Sequence, residues 1–184
     1  MRRDDQAIPE PLRLVVDFVN TLDVEEITDQ LASPAALADW CRDHVGTAAD
    51  LTVTRKDLAA AIEVRDVLRN AMLANRGVTI RPEDLAEHNR RITRFQAGVE
   101  FAETGRPIVQ ARGAGVTEIL SRILVDVATA HALGIWDRTK LCPAEDCLWA
   151  FYDHSKNRSR RWCSMDLCGN RTKTKTYRQR HRAT

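Results

Sequence analysis

The sequence predicts an α+β fold that is mainly helical and is divided into two domains. Apolar residues recur at helical spacing through most of the first 134 residues, with one stretch of strand character between residues 99 and 112. Beyond residue 134 the composition changes, because four of the five cysteines follow in two pairs, together with a basic C-terminus. We therefore expect a helical domain with a small β-hairpin over residues 1–134. A small treble-clef-like cysteine domain that ends in a basic helix should occupy residues 135–184.

The first two helices are predicted from periodicity and from caps. The segment "PLRLVVDFVNTLD" places its apolar residues at helical spacing. Ser33 and Pro34 form an N-cap and first-turn pair that predicts a second helix, ending near Gly46. Cys41 on this helix is interpreted as a small core residue. The apolar face of the first helix consists of Leu12, Val15, Val16, Val19 and Leu22.

Two more helices follow in the first domain. Thr54 and Asp57 resemble a capping box and predict the start of a long helix that ends near Gly77. Arg65 falls on or near its inward face, together with several apolar residues. Pro82 starts a shorter helix that carries one apolar stripe. This stripe is expected to consist of Leu85, His88, Ile92 and Phe95.

A change of rhythm predicts the β-hairpin. The segment "VEFAETGRPIVQAR" has two short runs of strand character about the turn "ETGRP". The helical period then returns between Gly115 and Gly134, with an apolar face broad enough to indicate a helix buried on more than one side. The segment "GIWDRTKL" is predicted to be the hinge between the two domains.

Two cysteine pairs indicate a metal site in the second domain. The segments "CPAEDC" and "CSMDLC" each hold two cysteines with four residues between them, and fifteen residues separate the pairs. Tight turns of this kind aim two sulfurs at one point, and four thiolates suit one tetrahedral zinc ion. The predicted ligands are Cys142, Cys147, Cys163 and Cys168.

Other interpretations of the cysteines remain open at this point. The spacing alone allows disulfides, although the N-terminus has no hydrophobic leader and we expect a cytoplasmic protein, where thiols stay reduced. His154 or His181 could replace a sulfur. A catalytic zinc would keep an open position, which four sulfurs would close, so we expect a structural ion. "LWAFYD" and Trp162 should provide a small aromatic core around it.

The charges of the two domains have opposite sign. Residues 1–137 hold 16 Lys and Arg against 22 Asp and Glu, whereas residues 138–184 hold 12 against 4. Such a split favours a basic element that binds a polyanion, the alternative being a solvated charged tail. We expect the C-terminal helix to lie in a groove of duplex DNA while the preceding loop contacts the backbone. The predicted DNA-binding residues are Lys156, Arg158, Arg160, Arg161, Arg171, Lys173, Lys175, Arg178, Arg180 and Arg182.

The same residues carry a family resemblance. The segment "CPAEDCLWAFYDHSKNRSRRWCSMDLCGNR" resembles the CGNR zinc-finger module found at the C-terminus of a family of bacterial stress-induced transcriptional regulators. The segment "DFVNTL" (residues 17–22) resembles a signature of the ABATE domain that accompanies it. The resemblance implies one zinc ion on the four cysteines and a DNA-binding role for the module. Lys156 departs from the Arg that is frequent in the family, and a Lys lacks bidentate geometry.

Three roles for the first domain are open. It could sense a small effector, with Asn20, Arg65 or His88 near a pocket, although each is more often a satisfied core or rim residue. It could form a homodimer that sets the spacing of DNA half-sites. An enzyme is disfavoured, because the sequence shows no glycine-rich phosphate loop and no paired nucleophile and base. The alternative to DNA binding is an RNA-binding or protein-interaction module on the same finger. Within "CGNR", Gly169 should allow the backbone to pass close to the metal site. Asn170 should form a hydrogen bond to the opposing cysteine turn.

Overall fold

The computed structural model describes residues 7–46 and 51–182, except for the side chains of residues 176, 177 and 179–182 in the last helix. The helices are α1 (Leu12–Val19), α2 (Pro34–Val45), α3 (Arg55–Ala74), α4 (Pro82–Ile92), α5 (Val116–Ala132) and α6 (Asn170–Arg182). The strands are β1 (Leu22–Asp23), β2 (Thr28–Asp29), β3 (Gln96–Phe101), β4 (Pro107–Arg112), β5 (Thr139–Leu141) and β6 (Ala150–Tyr152). They form three antiparallel pairs, β1–β2, β3–β4 and β5–β6. A 3₁₀ turn (Trp136–Arg138) precedes β5, and one π-helical turn (Met165–Gly169) leads into α6.

The main core lies between α1, α2, α3 and α5. The apolar face predicted for α1 is buried, but the helix ends at Val19 and Leu22 belongs to β1. Cys41 is fully buried in this core, and burial raises the pKa of its thiol to about 11. The prediction that it is a small core residue is confirmed.

The predicted caps fix the starts and ends of the helices. Ser33 Oγ accepts a hydrogen bond from the backbone N–H of Ala36 at 3.1 Å, and Gly46 adopts the left-handed conformation that ends α2. Thr54 and Asp57 form both bonds of a capping box at the start of α3. These local predictions are confirmed because each depends only on residues within one turn.

The helix α4 differs from its prediction. None of its residues is buried, and 48% of the Leu85 side chain is exposed. Only Ile92 and the following Phe95 pack against the edge of the main core. The stripe therefore has the expected spacing, but Leu85 is exposed and the other three residues are only half-buried. The predicted hairpin is confirmed as β3–β4, and it too is mostly exposed.

The segment predicted as a hinge is held firmly in place. All three residues of β5 are buried, and Asn75 Nδ2 on α3 donates hydrogen bonds to the carbonyls of Trp136 and Thr139, both at 2.9 Å. Leu141 and Ala150 on the β5–β6 pair contribute to the main core. This segment forms part of a packed junction because its backbone groups are hydrogen-bonded by the helical domain.

Among the helices of the described part of the chain, none combines the length and the apolar character that crossing a membrane requires.

Candidate metal centre and basic surface

The four predicted ligands meet at one buried point. Their sulfur atoms all lie within 4.8 Å of one another, and Cys163 Sγ is 3.6 Å from both Cys147 Sγ and Cys168 Sγ. A tetrahedron of sulfurs about 2.3 Å from a zinc ion has edges of roughly 3.8 Å, so the arrangement fits that ion. A disulfide needs about 2.05 Å between sulfurs, so these are free thiols and the disulfide interpretation is wrong.

Two tight turns position the sulfurs. In the first turn, Cys142 N–H donates to the Trp149 carbonyl and Cys147 N–H donates to the Ala144 carbonyl, each at 2.9 Å. The second turn is the start of the last helix, where Cys168 N–H donates to the carbonyl of Ser164 at 3.1 Å. Cys163 lies two residues before the π-helical turn and Cys168 lies within it, so the metal site fixes the base of α6, which follows the turn.

Hydrogen bonds among the sulfurs shift the pKa values of three cysteines in opposite directions. Cys147 and Cys163 hydrogen-bond to the Cys142 sulfur and lower its pKa, whereas the same interactions raise the pKa of Cys147 and Cys163. Thiolates are the ligands of zinc, so an ion that binds the four sulfurs releases protons from them. His154 is exposed and contacts the Tyr152 ring edge-on, outside the cluster. The side chain of His181, the other alternative ligand, lies outside the described residues.

Aromatic side chains surround the site as expected. Phe151 is buried against the cysteines, and Trp149 and Trp162 pack around them. Gly169 lies close to the Met165 and Trp162 side chains, and a Cβ at that position would require the exposed Met165 side chain to move. The metal site and this aromatic layer together form the second, smaller core.

Comparison with family models agrees with the two cores. The model described as "Putative stress-induced transcription regulator", ABATE, matches residues 12–133, and the CGNR zinc finger model matches residues 138–181. The chain belongs to the ABATE family. Its second module is a CGNR finger, and its four cysteines are the site for the zinc ion. No curated protein matches the chain.

Polar side chains of the ABATE domain bind the backbone of the finger. Asn20, within the "DFVNTL" signature, donates to the Ala150 carbonyl at 3.0 Å and accepts from the Ala150 N–H at 2.8 Å. Arg69 on α3 donates to the carbonyls of Val19 and Leu148, at 3.2 and 3.1 Å. These bonds satisfy backbone groups that no strand pairs, so the finger is docked on the helices in a defined orientation.

Lys140 is a cation of the finger that the sequence did not single out. Its Nζ donates to Asp153 Oδ2 at 2.7 Å and to the Arg158 carbonyl at 2.6 Å. Asp153 is fully buried and also accepts from Ser155 and from the Arg160 N–H. Burial would raise the pKa of Asp153, but the hydrogen bonds from Lys140 and Ser155 outweigh burial and lower it. The pair shapes the loop that carries the predicted backbone contacts.

Arg160 faces inward, unlike its neighbours. Its guanidinium donates to the carbonyl of Trp162 at 2.9 Å and to the carbonyl of Cys163, and it lies over the Phe151 ring. These contacts tie the loop to the second cysteine pair. Arg160 therefore has an internal structural role that its sequence position did not indicate.

Arg171 connects the finger to the ABATE domain. Its Nη1 donates to Glu25 Oε1 at 2.6 Å, its Nη2 donates to Cys168 Sγ at 3.4 Å, and Asp146 lies 3.4 Å from its Nε. The hydrogen bond to Glu25 is the largest cause of a raised Arg171 pKa. A cation at this position offsets the excess negative charge of four thiolates around one divalent ion.

Lys175 lies one turn beyond Arg171 on the same side of α6. The two cations line an open groove of about 390 Å³ opposite the first cysteine turn, which includes Glu145 and Asp146. The predicted stripe of cations therefore begins against an acidic turn, and its first member is paired there. The acidic residues could not be anticipated, because they lie some 25 residues earlier in the chain.

The remaining described cations point outward. Lys156, Arg158 and Arg161 on the loop are exposed, as are Lys173 and Arg178 on α6. Nη1 of Arg158 lies 3.8 Å from Oδ2 of the exposed Asp137. The guanidinium of Arg161 lies over the ring of the adjacent Trp162. The side chains of Arg180 and Arg182 lie outside the described residues.

Three further expectations can be compared with the structure. Arg65 is buried and forms two hydrogen bonds to Asp29, at 2.6 and 2.8 Å, and His88 contacts Asn70. Neither residue, nor Asn20, lines the groove beside α6. Asn170 is exposed, and its side chain forms no hydrogen bond to the side chains and backbone that the structure describes. Its expected bond to the opposing turn is therefore not formed there.

Proposed function

We propose that the protein is a transcription regulator whose CGNR finger binds duplex DNA through the outward cations of the loop and of α6. The observation that carries the proposal is the state of these cations. Lys156, Arg161, Lys173 and Arg178 are exposed and form no ion pair with the residues that the structure describes. Exposed cations without acidic partners are the groups that displace counterions from a phosphate backbone.

The zinc site makes this surface rigid. The loop leads directly into Cys163, and α6 grows directly out of Cys168, so both basic elements start at the same ion. Preorganised cations lose less conformational entropy on binding than cations on a mobile tail. The geometry therefore favours a defined DNA-binding surface over a solvated charged tail.

Three of the ten predicted DNA-binding residues have neighbours within the protein. Arg160 and Arg171 have internal partners, and Lys175 shares a groove with acidic residues. We therefore assign the DNA contacts mainly to the other seven. On a helix with 100° per residue, Lys173 lies about 160° from Lys175. Arg178 lies about 140° from Lys173, so the two outward cations flank α6 and should contact phosphates on both sides of a groove that holds the helix.

Binding of fluorescent duplex DNA at several salt concentrations tests the proposal. The variant Lys156→Ala/Lys173→Ala/Arg178→Ala should bind more weakly, and its slope of log affinity against log salt should fall by about one for each lost phosphate contact. Lys56→Ala, an exposed lysine on α3, is the matched control and should leave both values unchanged.

The same titration separates the alternative functions. A preference for single-stranded RNA of equal length would favour the RNA-binding module instead. Absence of binding to either nucleic acid at low salt would contradict the proposal, as would unchanged binding by the triple variant.

A further inference from the structure

The β3–β4 hairpin has two faces of different character. Its register places Ala97 opposite Ala111, Val99 opposite Val109, and Phe101 opposite Pro107. Side chains of directly opposed residues lie on the same face of an antiparallel pair, and alternate pairs share a face. All six of these residues therefore form one apolar face, which we call the ribbon face.

The opposite side of the hairpin is mixed in character. Arg112 lies over Gly98 and reaches Glu100 at 2.9 Å, while Ile108, which is paired with Glu100, is 38% exposed. This side therefore carries an ion pair beside one exposed apolar side chain. The ribbon face, in contrast, presents apolar side chains alone.

The ribbon face is exposed to solvent. Phe101 is 74% exposed, Val99 63% and Val109 54%. Six-residue strands make a face about 20 Å long, and the hairpin is supported by contacts with α5. Contiguous exposed apolar patches are uncommon on monomeric soluble proteins, and large ones mark interaction sites.

We propose that the ribbon face is the homodimer interface, and that it packs on the ribbon face of a second copy. The face carries no ionisable group, whereas residues 1–137 hold six more acidic than basic residues, so a charged partner would form no ion pair on it. Nucleic acid and charged peptides gain nothing from such a surface. Two acidic domains can approach each other best where neither bears charge.

The sizes of the six residues select one arrangement. Small residues (Ala97 and Ala111) lie at the base of the hairpin, valines lie in the middle, and Phe101 and Pro107 lie at the tip. We consider a two-fold axis that lies between the two ribbon faces and runs perpendicular to the strands. This axis places the tip of one hairpin over the base of the other. Phe101 then covers Ala97 of the second copy, and the valines meet at the axis, so large residues face small ones throughout.

The matched substitutions Val109→Lys and Ile108→Lys test this interface. The two residues are neighbours on β4, and they lie on opposite faces of the hairpin. We expect the wild type to sediment as a dimer of twice 20.8 kDa. Val109→Lys should be monomeric over the same concentrations, because it buries a charge without a partner, whereas Ile108→Lys should remain dimeric.

Sedimentation of the intact, metal-loaded chain gives the outcomes directly. A monomeric wild type, a dimer that survives Val109→Lys, or a dimer lost equally in Ile108→Lys would each overturn the interface. Circular dichroism confirms that both variants are folded. Since no DNA is present, a failure here is distinct from a failure of DNA binding.

A third variant tests the orientation of the two copies. Ala97→Phe adds apolar area but should weaken the dimer, because Phe101 of the second copy already fills that space. A dimer that is equally tight or tighter in Ala97→Phe would overturn the arrangement of tip over base.

Discussion

The cations of the CGNR finger fall into two groups that differ in their partners and not in their sequence surroundings. Lys140, Arg160 and Arg171 hold carbonyls, carboxylates and a ligand sulfur in place. Lys173 and Arg178 extend from the same helix as Arg171 and meet no described acid. The first group makes the finger rigid and docks it on the ABATE domain, whereas the second group is exposed and is the one that we propose to bind DNA. Positive charge in this module therefore occurs in two separate settings.

Loss of the metal should have the largest effect, because both groups depend on it. Cys163→Ala should abolish stoichiometric zinc binding. Binding of a structural zinc ion contributes on the order of 10 kcal/mol to the folding free energy of a small zinc module. Cys41→Ala, which removes the remaining cysteine from the main core, is the matched control and should keep one zinc per chain. Elemental analysis with thermal melting measures both, and full zinc content in Cys163→Ala would contradict the assignment.

The metal should also be lost on acidification. Each thiol must give up its proton to bind the ion, so affinity falls as pH falls. Titration of bound zinc with a chromophoric chelator should show release on lowering the pH. Retention of zinc well below the pH range in which thiolates protonate would contradict ligation by four sulfurs.

Breaking the buried ion pair between Lys140 and Asp153 should have the next largest effect on stability. Asp153→Ala leaves Lys140 buried without a carboxylate, which costs about 3–5 kcal/mol of unfolding free energy. Because the folded pKa of Asp153 is lowered, its stabilisation is complete above the ordinary value of 3.8 and declines as pH falls below it. Urea denaturation at neutral pH measures the effect. Asp166→Ala, at an exposed position of the same finger, is the control and should cost less than about 0.5 kcal/mol.

The smallest effect is expected at the contact between domains. Arg171 and Glu25 are partly exposed, so Arg171→Ala should lower the unfolding free energy by about 1 kcal/mol. Arg178→Ala, two turns further along α6, should lower it by less than about 0.5 kcal/mol while weakening DNA binding. Equal destabilisation by the two variants would remove the distinction between internal and outward cations.

Local chemistry was predictable from the sequence. The capping residues Ser33 and Thr54 act on groups within one turn, and the paired cysteines share one site because short turns converge their sulfurs. Periodicity located α4 as well. It could not show that the stripe around Leu85 remains half exposed, since that depends on which elements pack beside it.

The roles of Arg160 and Arg171 could not be predicted for a different reason. A run of cations looks uniform in sequence, and the groups that pair with it come from distant segments, such as Glu25 on the loop between β1 and β2. The only local signal was the presence of Asp153 in an otherwise basic segment. A buried acid there indicates that some neighbouring cations are used internally.

By itself the sequence determined the helices and their caps, the hairpin, the metal ligands and the opposite charges of the two modules, because each follows from residues close together in the chain. Only the tertiary structure decided which cations face outward, how Asn20 and Arg69 dock the finger, and which apolar side chains of the hairpin are exposed. Those properties depend on which distant groups the fold brings within hydrogen-bonding distance, and on which surfaces it leaves in contact with water.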